Sequence, residues 1–225
     1  NVTAGRNLTL SRIEADSGVV LEATSGWIRD GLTGSLANDA GNDTSDENLI
    51  VKTGSAVLRA GAGIGQSSAS LMTQVATLAL SNAGSGAVYL SERDDLSISG
   101  SHGTGGNSVD ITATAPANDA DPSGALILVS RTGAITVSGP VVASGNILLQ
   151  TLTTAKGLLI QSDMTSAGGN IRLASAARID VADASVTNYA PTLKAEGLGR
   201  TVSLLAATEI VMQSDAQVIT NNGEI

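Results

Sequence analysis

A glycine followed by a short run of alternating apolar residues recurs along the chain, and this recurrence constrains the fold more than any other feature. The runs start at positions 86, 106, 124, 145 and 169, at intervals of 18 to 24 residues. Strand side chains point alternately to two faces, so the run at 170–174 puts Ile171 and Leu173 on one face. A period of this length is typical of solenoids, in which each repeat forms one turn of a stack.

A second short strand follows most of these runs within the same period. These second strands are predicted at 95–99, 133–138, 157–161 and 177–181. Gly, Ser, Asn and Asp separate the strands and no helical periodicity is present, which excludes a doubly wound α/β fold. We therefore predict an all-β parallel solenoid with two strands per turn. A plain β-sandwich is the alternative, because short strands spaced by about 8–12 residues also describe that fold.

The side chains that are available for a core favour stacked thin layers over a compact globule. The chain has no Phe, one Trp and two Tyr, so Val, Ile, Leu and Ala must fill its core. A globular core normally relies on aromatic rings, each of which buries roughly 150–250 Å². Small aliphatic side chains instead suit a narrow interior whose layers stack about 4.7–4.9 Å apart.

Three segments interrupt the repeat and lack apolar alternation. They span residues 30–47, 113–122 and 184–199, and they hold much of the Asn, Asp and Pro. We predict these insertions as loops outside the stack, with a short helix as an alternative for 188–198 only. Because loops on a rigid scaffold often carry binding residues, the insertions are candidate binding sites.

Residues 1–225 are predicted to form one solenoid module. Neither end of the sequence shows the polar or helical cap that protects exposed strand edges in solenoids. We therefore expect the module to be internal to a longer repeat protein, or to stack end to end on copies of itself.

Charge and cysteine content exclude several classes of function. Twelve Lys and Arg against 21 Asp and Glu give a net charge of -9, which argues against nucleic acid and anionic membranes as partners. The lack of cysteine excludes disulfides, thiolate zinc sites and thiol catalysis, and it suits a chain that is exported unfolded through an oxidising compartment. No apolar run of about 18 residues is present, so we expect no membrane span.

Candidate catalytic residues are few. The single histidine, His102, lies in a glycine-rich turn and is interpreted as an exposed turn residue. Asp94 and Asp95 would point to opposite faces of an extended chain, whereas glycosidases need two carboxylates about 5–10 Å apart in one site. Glu92 and Arg93, together with Asp94, are interpreted as a charged turn at the surface. We predict no catalytic residue and no enzyme activity.

No cofactor site is predicted, although calcium stays open as a ligand. Residues 103–110 are a single imperfect copy of the glycine-rich repeat that binds calcium in some solenoids, and 39–47 and 119–121 are acidic. Residues 61–65 lack the Lys and Ser/Thr of a phosphate-binding loop and are interpreted as a turn. Trp27 is predicted to pack in the core or at its rim, with stacking on sugars as the alternative.

The segment from 55 to 113 has the most specific pattern. It contains Ala-Val-Leu-Arg-Ala-Gly-Ala-Gly-Ile-Gly at 56–65, an alternating run at 73–80, and strands at 86–92 and 95–98. This pattern resembles the repeats of giant secreted bacterial proteins of the filamentous-haemagglutinin-like class, in which a Gly-Ile-Gly turn precedes such strands. The resemblance implies a right-handed parallel β-helix, export to the cell surface or medium, and a role in adhesion, matrix or surface-layer assembly.

We therefore expect a structural repeat module of a large secreted bacterial surface, matrix or filament-forming protein, with neighbouring repeats or copies of itself as partners. The first alternative is an adhesin segment that binds glycans or host protein through the insertions at 30–47 and 184–199. The second alternative is an enzyme of the polysaccharide lyase type, which would need carboxylates and Arg or Lys side chains that converge on one face.

Overall fold

The computed structural model describes residues 1–32, 47–99, 111–113, 124–182 and 190–225. Within these residues the chain forms 23 strands and no helix. In chain order the strands are β1 Val2–Ala4, β2 Leu8–Leu10, β3 Ile13–Ala15, β4 Val19–Ala23, β5 Trp27–Asp30, β6 Leu49–Ala60, β7 Gly63–Ile64, β8 Leu71–Asn82, β9 Val88–Glu92, β10 Leu96–Ile98, β11 Ile111–Ala113, β12 Leu126–Ser130, β13 Ile135–Val137, β14 Val141–Ala143, β15 Ile147–Thr151, β16 Leu158–Ile160, β17 Met164–Ser166, β18 Ile171–Ser175, β19 Ile179–Val181, β20 Thr192–Leu198, β21 Val202–Ala206, β22 Ile210–Met212 and β23 Gln217–Asn221.

The strands form where the sequence alternates between apolar and polar residues. β12, β15 and β18 each run for five residues, and every second side chain in them is buried. In β15, Ile147, Leu149 and Thr151 point inward, whereas Leu148 and Gln150 are half-buried on the outer face. The prediction of an all-β fold is confirmed for the described residues.

The strands stack in parallel columns, each of which contains one strand from every turn. From β9 onward each strand pairs with the third strand along the chain, so a turn contains three strands and the prediction of two is wrong. The third strand, such as β14, has only three residues, and alternation over that length cannot be told from a turn. The parallel, solenoid-like arrangement is confirmed and the antiparallel sandwich is excluded. The first column contains eight strands: β2, β5, β7, β9, β12, β15, β18 and β21.

The repeat that was predicted to start at Gly106 does not open a turn of its own. Val88 of β9 pairs directly with Leu126 of β12, so Gly86 and Gly124 begin successive turns. The strand after Gly106 is β11, which pairs with β8 and β14 on the third side of the stack. Inserted residues lengthen this one turn by about one period, which is why it resembles two short turns in the sequence.

The first half of the stack is built around two 12-residue strands, β6 and β8, which pair with each other. β6 pairs with β3 through residues 49–51 and with β4 through residues 56–60. Between these two parts the register of β6 against β8 shifts after Val51, and Gly54 adopts a φ of 90°. Glycine tolerates this conformation, so the bulge redirects β6 from one side of the turn to the next.

Inward side chains from successive turns form one continuous apolar core. In the first column Val88, Leu126, Ile147, Ile171 and Val202 lie one above another, and none is more than 1% exposed. Burial of a side chain of this size contributes about 1.5–3 kcal/mol. Each turn is covered by its neighbours, so the stabilisation is spread along the stack, as in other repeat proteins.

The three predicted insertions are only partly within the described residues. In the first, Asp30 ends β5 and residues 31, 32 and 47 are described; in the second, only Ala113, the last residue of β11, is described. In the third, 192–198 form β20, which pairs with β17 and β23 inside the stack. Both the loop outside the stack that was predicted for 184–199 and the helix considered for 188–198 are therefore wrong for these strand residues. Leu193 and Ala195 are fully buried, and this two-residue alternation continues the core.

Candidate functional site

Asp94 and Asp95 lie in the turn between β9 and β10, and each has partners of its own. The carboxylate of Asp95 accepts hydrogen bonds from Lys156 Nζ and from the Ala134 backbone N–H, both at 2.8 Å. The Lys156 ammonium is the main cause of a lowered pKa for Asp95. Asp94 instead accepts a bond of 3.1 Å from Gln74 Nε2. The two carboxylates therefore bind different partners.

A shallow groove of about 270 Å³ lies beside the bulge in β6. The groove is lined by Ile50, Val51, Lys52, Gln74, Val75, Ala76, Asp94 and Asp95. Lys52 Nζ is bound to Glu14 Oε1 at 2.9 Å and to Asp16 Oδ1 at 3.0 Å. The hydrogen bond from Lys52 lowers the pKa of Glu14, and the same bond raises the pKa of Lys52. The amide and charged groups of the groove can hydrogen bond a polar ligand, but each already has a partner in the protein. Gln74 binds Asp94, Lys52 binds Glu14 and Asp16, and Asp95 binds Lys156.

A column of polar side chains runs through the interior, at the corner where strands of the first column end. We call it the polar column; one member comes from each of five turns, at the same register position. None is more than 6% exposed, and the members are Thr73, Glu92, Ser130, Thr151 and Ser175. The column was not predicted from the sequence. Its signal is a polar fifth residue at the end of each apolar run in β9, β12, β15 and β18.

The hydroxyl groups of the polar column close the tight corners that follow the strands. Ser130 Oγ accepts a bond of 3.0 Å from the Gly133 N–H, and Ser175 Oγ accepts one of 3.1 Å from the Ala177 N–H. The hydroxyl oxygens of Thr151 and Ser175 lie 3.0 Å apart in adjacent turns. Buried backbone N–H groups need such partners, so these members of the column are structural.

Glu92 is fully buried, and its interpretation as part of a solvated surface turn is wrong. Its Oε2 lies 2.7 Å from Thr73 Oγ1, and its Oε1 accepts bonds from the Val75 N–H at 3.1 Å and the Arg93 N–H at 3.0 Å. Burial raises the pKa of Glu92 well above its ordinary value, because an interior site disfavours the charged form. These hydrogen bonds oppose the rise, and the nearby negative charge of Asp94 adds to it.

A second buried carboxylate, Glu47, forms an ion pair with Arg131. The side chains are 0% and 6% exposed, and Arg131 Nη2 bonds to Glu47 Oε1. Glu47 lies just before β6, and Arg131 directly follows β12. The pair therefore connects two strands through residues that are 84 positions apart in the sequence. An ion pair that is withdrawn from solvent to this degree links distant parts of the chain and is not accessible to a ligand.

Trp27 packs against the glycines of the next two turns. A Cβ placed on Gly63 would lie 2.3 Å from a carbon of the indole ring, and one placed on Gly86 would lie 2.6 Å from another. The Arg29 guanidinium lies 5.3 Å from the ring centroid, within the range of a cation–π contact. The geometry therefore supports rim packing for Trp27. The segment 61–65, predicted as a turn, contains the two-residue strand β7.

Other sequence candidates lie outside the described residues. These are His102, the single calcium-type segment 103–110 and the acidic segment 119–121; of 39–47 only Glu47 is described. In the described part of the chain no three His, Cys, Asp or Glu side chains cluster as metal ligands would. The described residues also contain no helix with the length and apolarity that a membrane crossing requires.

Comparisons of the chain with protein-family models, with curated proteins and with solved structures yield no match.

Proposed function

We propose that the chain is a structural repeat module of a large secreted bacterial surface, matrix or filament-forming protein, and that its turns wind as a right-handed parallel β-helix. The observation that carries the proposal is the unbroken apolar core, in which equivalent residues of successive turns cover one another. Eight strands in the first column, spaced by about 4.8 Å, extend the stack over roughly 34 Å. Such a stack is a spacer whose length grows with each added turn.

The polar interior supports the same proposal. Ser130 and Ser175 hold corner backbone groups, and Glu47 binds Arg131 across the stack. These groups are withdrawn from solvent and are bonded to the protein itself. Their placement serves a rigid shape, which is what a scaffold requires.

The outer edge of β21, β22 and β23 suits one kind of neighbour, a further turn of the same type. Ile210 and Met212 stand above Ile179 and Val181, which are fully buried. Ile210 and Met212 themselves are 44% and 39% exposed. Another parallel turn would bury Ile210 and Met212 in the same way that these residues bury Ile179 and Val181. It would also pair with the outer edge of β21, β22 and β23. We therefore propose neighbouring solenoid turns as the partners of the module.

Light scattering on the purified 225-residue chain tests this proposal. We expect the average mass to rise with concentration, because the exposed edge associates with turns of other copies. A double variant, Ile210→Asp with Met212→Asp, is expected to stay monomeric. Val211→Asp lies between these positions on the opposite face and is the matched control, with association like the parent chain. If the parent chain and both variants remain monomeric at all concentrations, the proposal is contradicted.

A second candidate function is an adhesin segment that binds glycans or host protein through the insertions. One observation favours it: the base of the first insertion is firmly held. Asp30 Oδ1 accepts bonds of 2.7 Å from the Leu32 N–H and from Asn48 Nδ2, and Asn48 Oδ1 accepts one of 2.9 Å from the Met72 N–H. A fixed base presents a loop in a defined place, as binding loops on rigid scaffolds require.

Replacing residues 33–46 with a short Gly-Ser linker tests the adhesin candidate. We expect the replacement to abolish binding on a glycan array or to host cells while the unfolding midpoint stays close to that of the parent chain. An array that is silent for the parent chain, together with cell adherence that the replacement does not change, would remove this candidate.

A further inference from the structure

Glu92 occupies a position in which only neutral donors meet its carboxyl group. Within the described residues these donors are the Thr73 hydroxyl and the backbone N–H groups of Val75 and Arg93, with a longer contact of 3.5 Å from the Asp94 N–H. The carboxyl is fully buried at the junction of β8 and β9. A buried carboxylate without a bonded cation is costly, because its charge has lost water and gained no counter-charge.

The charged groups around Glu92 do not supply that counter-charge. Asp94, on the same turn, is negative and disfavours ionisation of Glu92. Arg131 follows Ser130, the β12 partner of Glu92, but its guanidinium is bound to Glu47. β8 contributes Thr73 and Gln74, which are uncharged. Arg93 meets Glu92 through its backbone N–H.

The hydrogen bonds at the two carboxyl oxygens fit a protonated acid. Oε1 accepts from the two backbone N–H groups, as a carbonyl oxygen does. Oε2 faces a hydroxyl, which can accept a hydrogen bond as readily as it donates one. An O–H group at Oε2 that donates a hydrogen bond to Thr73 Oγ1 therefore satisfies both oxygens without a buried charge.

We propose that Glu92 stabilises the stack in a pH-dependent way. It binds one proton as the chain folds, and it stabilises the β8–β9 junction more in acid than at neutral pH. The sign follows from linkage. The pKa of Glu92 is higher in the folded chain than in the unfolded chain, so the folded state binds more protons between those two values. The contribution of Glu92 to stability is fully present below its pKa in the unfolded chain, and it is lost as the pH rises toward its pKa in the folded chain.

Denaturant unfolding of the whole chain between pH 4 and pH 8 tests the proposal. The parent chain is compared with Glu92→Gln, which keeps the shape and cannot ionise, and with Glu14→Gln, which removes an exposed carboxylate. Relative to Glu92→Gln, the unfolding constant of the parent is expected to rise by up to about tenfold per pH unit in the titration window, as one linked proton requires. The ratio of the unfolding constants of the parent and Glu14→Gln is expected to show no such rise with pH, because both chains keep Glu92.

An equal pH dependence of the parent and Glu92→Gln would overturn the proposal. So would a parent chain that gains stability relative to Glu92→Gln as the pH rises. Infrared spectroscopy of the parent at pH values from 5 to 7 gives a readout that does not depend on the folding of a variant. We expect the carbonyl band of one protonated carboxyl in the folded chain and its loss on unfolding; the absence of that band at neutral pH and at pH 5 also overturns the proposal.

Discussion

The indole ring of Trp27 fills the space that a side chain at position 63 would need, because a Cβ on Gly63 would lie 2.3 Å from a ring carbon. Gly63 is the register partner of Trp27 in the next turn. The ring therefore extends from its own turn over the next one, and only a residue without a side chain fits opposite it.

Gly63→Ala is expected to destabilise the chain by about 1–3 kcal/mol, the usual cost of overpacking. In a Trp27→Ala background the same substitution should cost much less, since the clashing ring is gone. Urea unfolding of the four chains of this cycle measures both effects. Gly5→Ala is the matched control, because a Cβ at Gly5 meets nothing within 4 Å. Equal costs of Gly63→Ala with and without the ring would show that Trp27 does not set this position.

Arg131→Met is expected to destabilise the chain by about 3–5 kcal/mol, because it leaves the carboxylate of Glu47 buried without its cation. The double variant with Glu47→Leu removes both charges and should recover part of this loss. Unfolding free energies from a double-mutant cycle measure the coupling.

The control for this cycle is the Lys194–Glu196 pair, whose side chains are 43% and 42% exposed. Lys194→Ala should change stability by no more than about 1 kcal/mol, as is usual for surface pairs. If Arg131→Met costs as little as Lys194→Ala, the buried pair does not hold β6 to β12.

The sequence predicts the strands and the corners of this fold better than it predicts how the strands combine into turns. The alternation around Ile171 and Leu173 identifies β18, and the glycines at 145 and 169 mark successive turns. The number of strands per turn is missed because β14 and β17 have three residues each, too few for a period to be visible. The prediction that Gly106 opens a turn is wrong because the extra residues between Gly86 and Gly124 are about as numerous as those of one turn.

The interior chemistry is harder to predict than the fold. Glu92 precedes Arg93 and Asp94, and a charged triplet normally indicates a surface turn. The alternation of β9 puts Glu92 on the same inward face as Val88 and Leu90. The charged triplet hides this signal, and the pairing of Glu92 with Thr73 and Ser130 in adjacent turns makes it plain. Glu47 and Arg131 are far apart in the sequence, so their contact depends on tertiary structure.

Thr151→Val is expected to lower the free energy of unfolding by about 1–2 kcal/mol. It keeps the shape of the side chain and removes the hydroxyl that lies 3.0 Å from Ser175 Oγ in the buried polar column. Thr3→Val, at an exposed position in β1, is the control and should have little effect. Guanidinium unfolding measures both; equal small changes would contradict a stabilising role for the column.

The most direct test of the stacked architecture is a set of distances along the first column. The chain has no cysteine, so spin labels can be placed at chosen sites alone. Thr9→Cys in β2 is combined in turn with Leu148→Cys, Arg172→Cys and Ser203→Cys, which lie five, six and seven turns away on the outer face. With a spacing of about 4.8 Å per turn, the expected separations are roughly 24, 29 and 34 Å. A steady increase with turn number supports the stack, whereas separations that do not rise in this order contradict it.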